Sequence, residues 1–450
     1  MKIHPPILDI PPDNPYANDL FGRKAFAESL RSLIKNTDDN VVLCVDAPWG
    51  DGKTSFARMW MADLQKREIN CIYYDAYEND YCEDPFISFS AEIISFVENN
   101  FRGNKELKLL KEEFKTKAKR IGSKVLTEGV KIGVKALTLG VIGNSDIEAC
   151  KDIKDDLAKD ASQVSSAIVG RIFDNYISTK NQINEFKEKL SNIGQAVKDA
   201  QKFPLLIIID ELDRCRPDFA LALLERIKHL YTTNYVSFIL LVNMKQLENY
   251  VRTIYGIRID ARNYLHKFIT LSTRLPKNKS DEYDNDYAKY FRLLLKHHGI
   301  DDRIDSNRDI VIFFKYYNFS LREIEQCSTI LTVYYSQLPQ GYFSPSDIIC
   351  FLVVLLVRHP DAFNSMAENK ISYEELANNT NFNNAEFPRE KYNIIDLIKY
   401  LLLSVEEYKK LDENNVLKNY DGWLRTTHFS RQEVIPFLCS ELLKFKMKNK

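Results

Sequence analysis

The apolar run Val41-Val-Leu-Cys-Val45 passes through Asp46 into Ala47-Pro48-Trp49-Gly50-Asp51-Gly52-Lys53-Thr54-Ser55, and helix-forming residues follow at once. A strand that turns this tightly into a helix aims a row of backbone N–H groups and the positive end of the helix dipole at one point, where an anion binds. The order Gly-Lys-Thr specialises that point for a nucleoside triphosphate, with Lys53 on the outer phosphates and the Thr54 hydroxyl on magnesium. Residues Pro48 to Ser55 therefore form the predicted cradle, and ATP and Mg2+ the predicted ligands. Ala47 stands where the pattern G-x-x-x-x-G-K-S/T begins with glycine. A methyl is tolerable there if the residue keeps a negative φ, with Gly50 and Gly52 supplying conformational freedom nearest the phosphates.

A second motif lies far downstream. Phe203-Pro-Leu-Leu-Ile-Ile-Ile-Asp210-Glu211-Leu-Asp213-Arg214-Cys-Arg216-Pro217 is a continuous apolar run closed by carboxylates, the pattern of a buried parallel strand. Its carboxyl end belongs at the sheet edge where α/β proteins bind ligands. Asp210 is read as the second magnesium ligand and Glu211 as the residue that orients the attacking water. With Lys53 these make the catalytic set, because phosphoryl transfer needs positioning and charge neutralisation above all. The alternative is that Glu211 and Asp213 cap the next helix or pair with Arg214 and Arg216. Neither G-x-S-x-G nor H-E-x-x-H occurs, so no second catalytic constellation of those kinds competes.

These segments, with Leu223-Leu-Glu-Arg-Ile-Lys-His-Leu-Tyr231, resemble the KAP family of P-loop NTPases. Phe21-Gly-Arg23 is similar to that family's leading segment, Ile72-Tyr-Tyr-Asp75-Ala-Tyr77-Glu78-Asn-Asp80 to its second strand and acidic-aromatic turn, and Tyr264-Leu-His-Lys267-Phe268 to the stretch after a later strand. The likeness spans roughly residues 15 to 330. It implies an α/β fold: a three-layer P-loop NTPase core of the additional-strand type with a mainly parallel sheet, a helical insertion between the two nucleotide motifs, and an all-helical C-terminal region. Two departures are Ala47 and Asn243, the latter standing where an aspartate often follows the third strand. The resemblance makes Asn243 a sensor of the γ-phosphate, whereas its residue type suits a helix cap. Arg322, behind Ser320 at a helix start, becomes a lid arginine facing the nucleotide. Roles in bacterial defence or membrane-linked signalling follow from the family likeness alone.

A chain of 450 residues exceeds what one core of about 250 to 300 residues accommodates. The division expected is an arm and first core segment over 1–100, an insertion over 101–200, the second core segment over 201–280, and a helical lid and C-terminal region over 281–450. Helices are expected over Asp19 to Asn36, Pro85 to Asn100 and Phe219 to Tyr231, and strands over Asn70 to Tyr74, Val236 to Val242 and Thr270 to Pro276. With 62 Lys and Arg against 63 Asp and Glu, no overall basic field points to nucleic acid. The eight cysteines show no metal-like spacing, which suits a reducing compartment, and the N-terminus lacks a secretory pattern. A cytoplasmic protein is expected, peripheral at a membrane if the segment 121–143 makes an amphipathic contact; the alternative is a helical pair covering the core. The run Ile348 to Val357 is too short to span a bilayer, which takes about 20 residues, and reads as a buried helix. The chain is expected to act as an ATP-driven switch that gathers a protein partner or further copies of itself, the rival reading being a scaffold that binds nucleotide without hydrolysing it. Arg214, Arg216 and Arg226 are the candidates for an arginine reaching a γ-phosphate.

Overall fold

Every second residue of the apolar strands faces one of two helical layers, and that alternation builds the core. In the computed structural model, which describes residues 2–37, 40–128, 181, 183–277, 285–301, 307–338, 345–385, 393–412, 415–425 and 429–444, five strands form one sheet. They are β1 (Val42–Asp46), β2 (Cys71–Asp75), β3 (Leu205–Asp210), β4 (Val236–Val242) and β5 (Leu271–Arg274). Their order is β2-β3-β4-β1-β5 and every pairing is parallel. Strand β4 is thus inserted between the loop strand β1 and the acidic strand β3, as an additional-strand core requires. Strands β3 and β4 are buried along their whole length, which explains why both read as unbroken apolar runs.

On one face, Val42, Cys44, Ile207, Ile209, Phe238 and Leu240 pack under α3 (Pro85–Asn100), α4 (Lys105–Glu128), a helix over 183–201 (α5), α6 (Pro217–Ile227) and α7 (Met244–Tyr255). On the other, Leu43, Val45, Leu206, Ile208, Ile239 and Leu241 meet α1 (Lys24–Asn36) and α2 (Lys53–Lys66). Both ends of the expected insertion therefore contribute to the core: Phe114 of α4 and Phe186 of α5 are fully buried with ring centroids 4.3 Å apart. Residues 129–143 of the segment considered for membrane contact lie outside the described residues. Among those described, no helix is long and apolar enough to cross a membrane.

Past β5 the described chain is helical. Helix α8 (Ala261–His266) precedes β5, and after that strand α9 (Asp286–His298), α10 (Asn307–Tyr316), α11 (Leu321–Gln337) and α12 (Ser346–Arg358) lead to shorter ones ending with Val434–Leu443. From α9 onward they share a hydrophobic core of their own, in which Ile348 to Leu355 of α12 are buried, as the apolar run predicts. The N-terminal arm runs between the two parts. The carbonyl of Lys2 bonds His298 Nδ1 of α9 at 2.6 Å, that of Ile3 accepts from Thr329 of α11 at 3.4 Å, and that of Asp13 accepts from Lys66 of α2 at 2.6 Å.

Two helix boundaries differ from expectation. Helix α1 begins at Lys24, not Asp19, because Gly22 takes φ +64 and breaks the chain direction; Asp19 instead accepts a bond from the Lys24 N–H at 2.9 Å. Helix α6 starts at Pro217, where proline's missing N–H costs nothing, and it tightens into a 3₁₀ turn over Lys228–Leu230.

Candidate functional site

The loop between β1 and α2 is shaped by its two glycines. Gly50 and Gly52 take φ +80 and +78, a region L side chains avoid. Ala47 is not among the residues with positive φ. Its N–H bonds the Val242 carbonyl at 3.1 Å and its side chain is buried, so the missing first glycine leaves the loop intact. No side chain caps the N-terminus of α2, whose first-turn N–H groups, from Lys53, Thr54 and Ser55, are the donors an anion would use. Lys53 Nζ bonds the carbonyls of Ala47 at 2.9 Å and Pro48 at 3.4 Å and lies 3.5 Å from Asp213 Oδ2.

Strand β3 delivers its carboxylates to the same point. The Thr54 hydroxyl is 2.9 Å from Asp210 Oδ2 and 3.0 Å from Glu211 Oε1, so one proton serves two acceptors. Tyr73 of β2 donates to Asp210 Oδ2 at 3.0 Å and the Glu211 N–H to Asp210 Oδ1 at 2.8 Å. Burial pushes the Asp210 carboxyl up against the lowering effect of those bonds and of Lys53. Burial also raises Glu211, with the Asp210 charge adding to it. Glu211 holds φ +59, a conformation costing a non-glycine residue about 1–2 kcal/mol. Arg214 Nε lies 2.6 Å from Glu211 Oε2, an ion pair whose direction leaves that oxygen without a hydrogen bond. The pairing with Arg214 considered from sequence therefore exists, whereas helix α6 has no side-chain cap.

Three oxygens converging around the one Thr54 hydrogen, with Asp210 Oδ2 also held by Tyr73 and two of the three on carboxylates raised by burial, make a donor set that fits a hard divalent cation. Among the described residues no cluster of three or more His, Cys, Asp or Glu side chains forms a metal site of its own.

Helix α11, expected to belong to a lid, touches the loop. A Cβ on Gly50 would lie 2.6 Å from Arg322 Cβ, which places the predicted lid arginine against the phosphate cradle. Arg322 itself is exposed. Asn243 follows Val242, whose register partner is Asp46, and its Oδ1 caps α7 through the Gln246 N–H at 3.4 Å. Arg216 bonds the Asp80 carbonyl at 2.8 Å and Arg226 lies 3.5 Å from Asp84.

Sequence reasoning gave no role to Arg23 or Lys277, and placed Trp49 in the cradle without a partner. Buried Arg23 donates to the carbonyls of Asp51 at 2.8 Å and Gly52 at 3.0 Å; burial pulls its guanidinium down to about 10, against the charge of Asp51, so it stays charged at neutral pH. Its signal was the Phe21-Gly-Arg23 segment. The Trp49 indole N–H donates to Asp213 Oδ2 at 2.6 Å while the ring stays 41% exposed. Lys277 carried no sequence signal.

The KAP family P-loop domain matches residues 23–338 of this chain. An uncharacterized protein of Methanocaldococcus jannaschii is 28% identical over 180 residues, which cover 38% of this chain and 89% of that protein. Among solved structures, the Aeropyrum pernix ORC2 protein in its ADPNP and ADP complexes aligns with 98% of this chain and 95% of its own, at 14% identity and a TM-score of 0.33.

Proposed function

Because this chain belongs to the KAP family of P-loop NTPases, we propose that it binds ATP with Mg2+ across the loop and β3, hydrolyses it, and uses the cycle to switch the lid between two positions. The observation that carries this reading is the convergence of Thr54, Asp210 and Glu211 within 3.0 Å. Lys53 exchanges its carbonyl contacts for phosphate oxygens, and the first turn of α2 donates its free N–H groups to them. Thr54 and Asp210 hold the magnesium ion, which when bound neutralises charge on the β- and γ-phosphates. Glu211 leaves Arg214, orients the attacking water and accepts its hydrogen. Arg322 reaches the γ-phosphate from the lid and Asn243 lies at the neighbouring strand end, so that the lid position reports the nucleotide state. That change gains or releases a protein partner or a second copy of the chain.

The pair Arg214–Glu211 also favours a second reading, in which the base stays held and the protein is a nucleotide-binding scaffold. ATP turnover of wild type, Lys53→Ala, Glu211→Gln and Arg214→Ala separates the two, with particle size followed in parallel. Hydrolysis predicts loss of turnover in the first two variants, with ATP binding kept in Glu211→Gln; equal turnover in all four proteins sinks the site assignment. A wild type that binds ATP but does not turn it over leaves the scaffold, and a size that ignores ATP removes the assembly step. Family likeness extends the proposal to a role in bacterial defence or membrane-linked signalling. Plaque counts on cells carrying wild type or Lys53→Ala test the defence role, and equal counts exclude it.

A further inference from the structure

Lys277 follows edge strand β5 and is 13% exposed at its side chain. Its Nζ bonds Asp51 Oδ1 of the phosphate-binding loop at 2.9 Å and the Phe319 carbonyl of the lid at 3.2 Å, while facing the Tyr287 ring of α9 from 5.3 Å. Phe319 directly precedes Ser320, the N-cap of α11, whose capping box with Glu323 fixes the first turn that carries Arg322. The carbonyl of Asp51 is gripped separately by Arg23. One ammonium group therefore ties the loop to the start of the lid helix, in a place where Coulomb attraction is poorly screened.

We propose that Lys277 is a positioning residue that latches the lid onto the phosphate-binding loop and so sets where Arg322 stands. Its effect on catalysis rests on the ATPase reading above; its effect on the lid does not. A latch differs from a mere counter-charge for Asp51. If Lys277 only neutralised the aspartate, removing both charges would restore the site, whereas a latch removed with its partner still leaves the lid adrift.

The test uses the full chain and the variants Lys277→Met, Lys277→Arg and Asp51→Asn/Lys277→Met. Amide hydrogen exchange over 318–325 is measured without nucleotide, alongside KM and kcat for ATP. In both Lys277→Met proteins exchange over 318–325 is expected to speed up about tenfold and KM to rise by a similar factor, the usual scale of coupling between two sites. Lys277→Arg, which keeps the charge and can reach both oxygens, is expected to stay near wild type. Return of the double variant to wild-type exchange and KM overturns the latch and leaves a counter-charge. Unchanged exchange in Lys277→Met overturns it outright, whether or not the protein turns over ATP. Faster exchange in a protein that binds no ATP would keep the latch and reject the ATPase reading.

Discussion

Replacing Gly50 by alanine loads two separable costs onto the loop. The first is backbone strain, since φ +80 places an L residue where about 1–2 kcal/mol is lost. The second is contact. The new methyl would lie 2.6 Å from Arg322 Cβ, 3.2 Å from Arg322 N and 3.3 Å from Ser320 Oγ, against an ordinary carbon separation of about 3.5–4.0 Å. Those atoms sit at or near the lid backbone, so relief requires the start of α11 to retreat by roughly 1 Å. Such overpacking costs about 1–3 kcal/mol, which brings the total to about 2–5 kcal/mol. Gly299 supplies the control: it takes φ +74, and a Cβ there would meet nothing within 4 Å, so its alanine variant reports strain alone. Urea unfolding of the nucleotide-free proteins should place Gly50→Ala below Gly299→Ala by about 1–3 kcal/mol. Adding Arg322→Gly to Gly50→Ala should recover part of that gap. A displacement of about 1 Å at Arg322 should also lower ATP turnover about 100-fold. Equal stability of the two alanine variants, with turnover unchanged, would refute a lid that rests on the loop.

Asp210 and Glu211 both have raised carboxyl pKa values in the folded chain, so the folded state holds their protons more firmly than the unfolded state. Their favourable contribution is full below the ordinary carboxylate range and is lost as pH rises through the raised values. Asp210→Asn should therefore raise the melting temperature of the nucleotide-free protein at pH 7 to 8 more than at pH 4; a uniform or reversed effect would contradict the buried-charge account. Magnesium takes the ionised carboxylates, so its affinity should climb as pH rises through the same window and then level off, as isothermal titration can check. Trp49→Phe strips fully buried Asp213 of its indole donor and should cost about 1–3 kcal/mol in urea unfolding; no loss would mean that water serves Asp213 instead.

The parts of the molecule legible in the sequence are those where neighbouring residues decide the outcome. Helix α3 spans Pro85–Asn100, as expected, because Pro85 sits at its first position and Asp84 caps it through the Phe86 N–H. Strand β4 spans Val236–Val242 because every side chain in the run is buried. The loop was recognisable despite Ala47, since that position needs only an ordinary φ. What escaped was set by encounters between distant segments. Arg23 reaches a loop whose carbonyls lie 28 and 29 residues away, and Lys277 reaches Asp51 across 226; the Phe21-Gly-Arg23 segment marked a family likeness but not that contact, and no local pattern marks Lys277. Arg214 was seen as a partner for Glu211, but which of its possible partners it takes depends on the left-handed turn at Glu211, which residue type does not announce.

The N-terminal arm has a mechanical consequence. It binds α9 and α11 near its start, fastens to α2 through Lys66 midway, and ends at the loop through Arg23. The chain leaving β5 makes a second tether between core and lid at Lys277. A body tied to another at two separated places keeps rotation about the line joining them and loses most sideways sliding. Opening of the lid should therefore resemble a door on two hinges, with Arg322 swinging through an arc instead of drifting away from the loop.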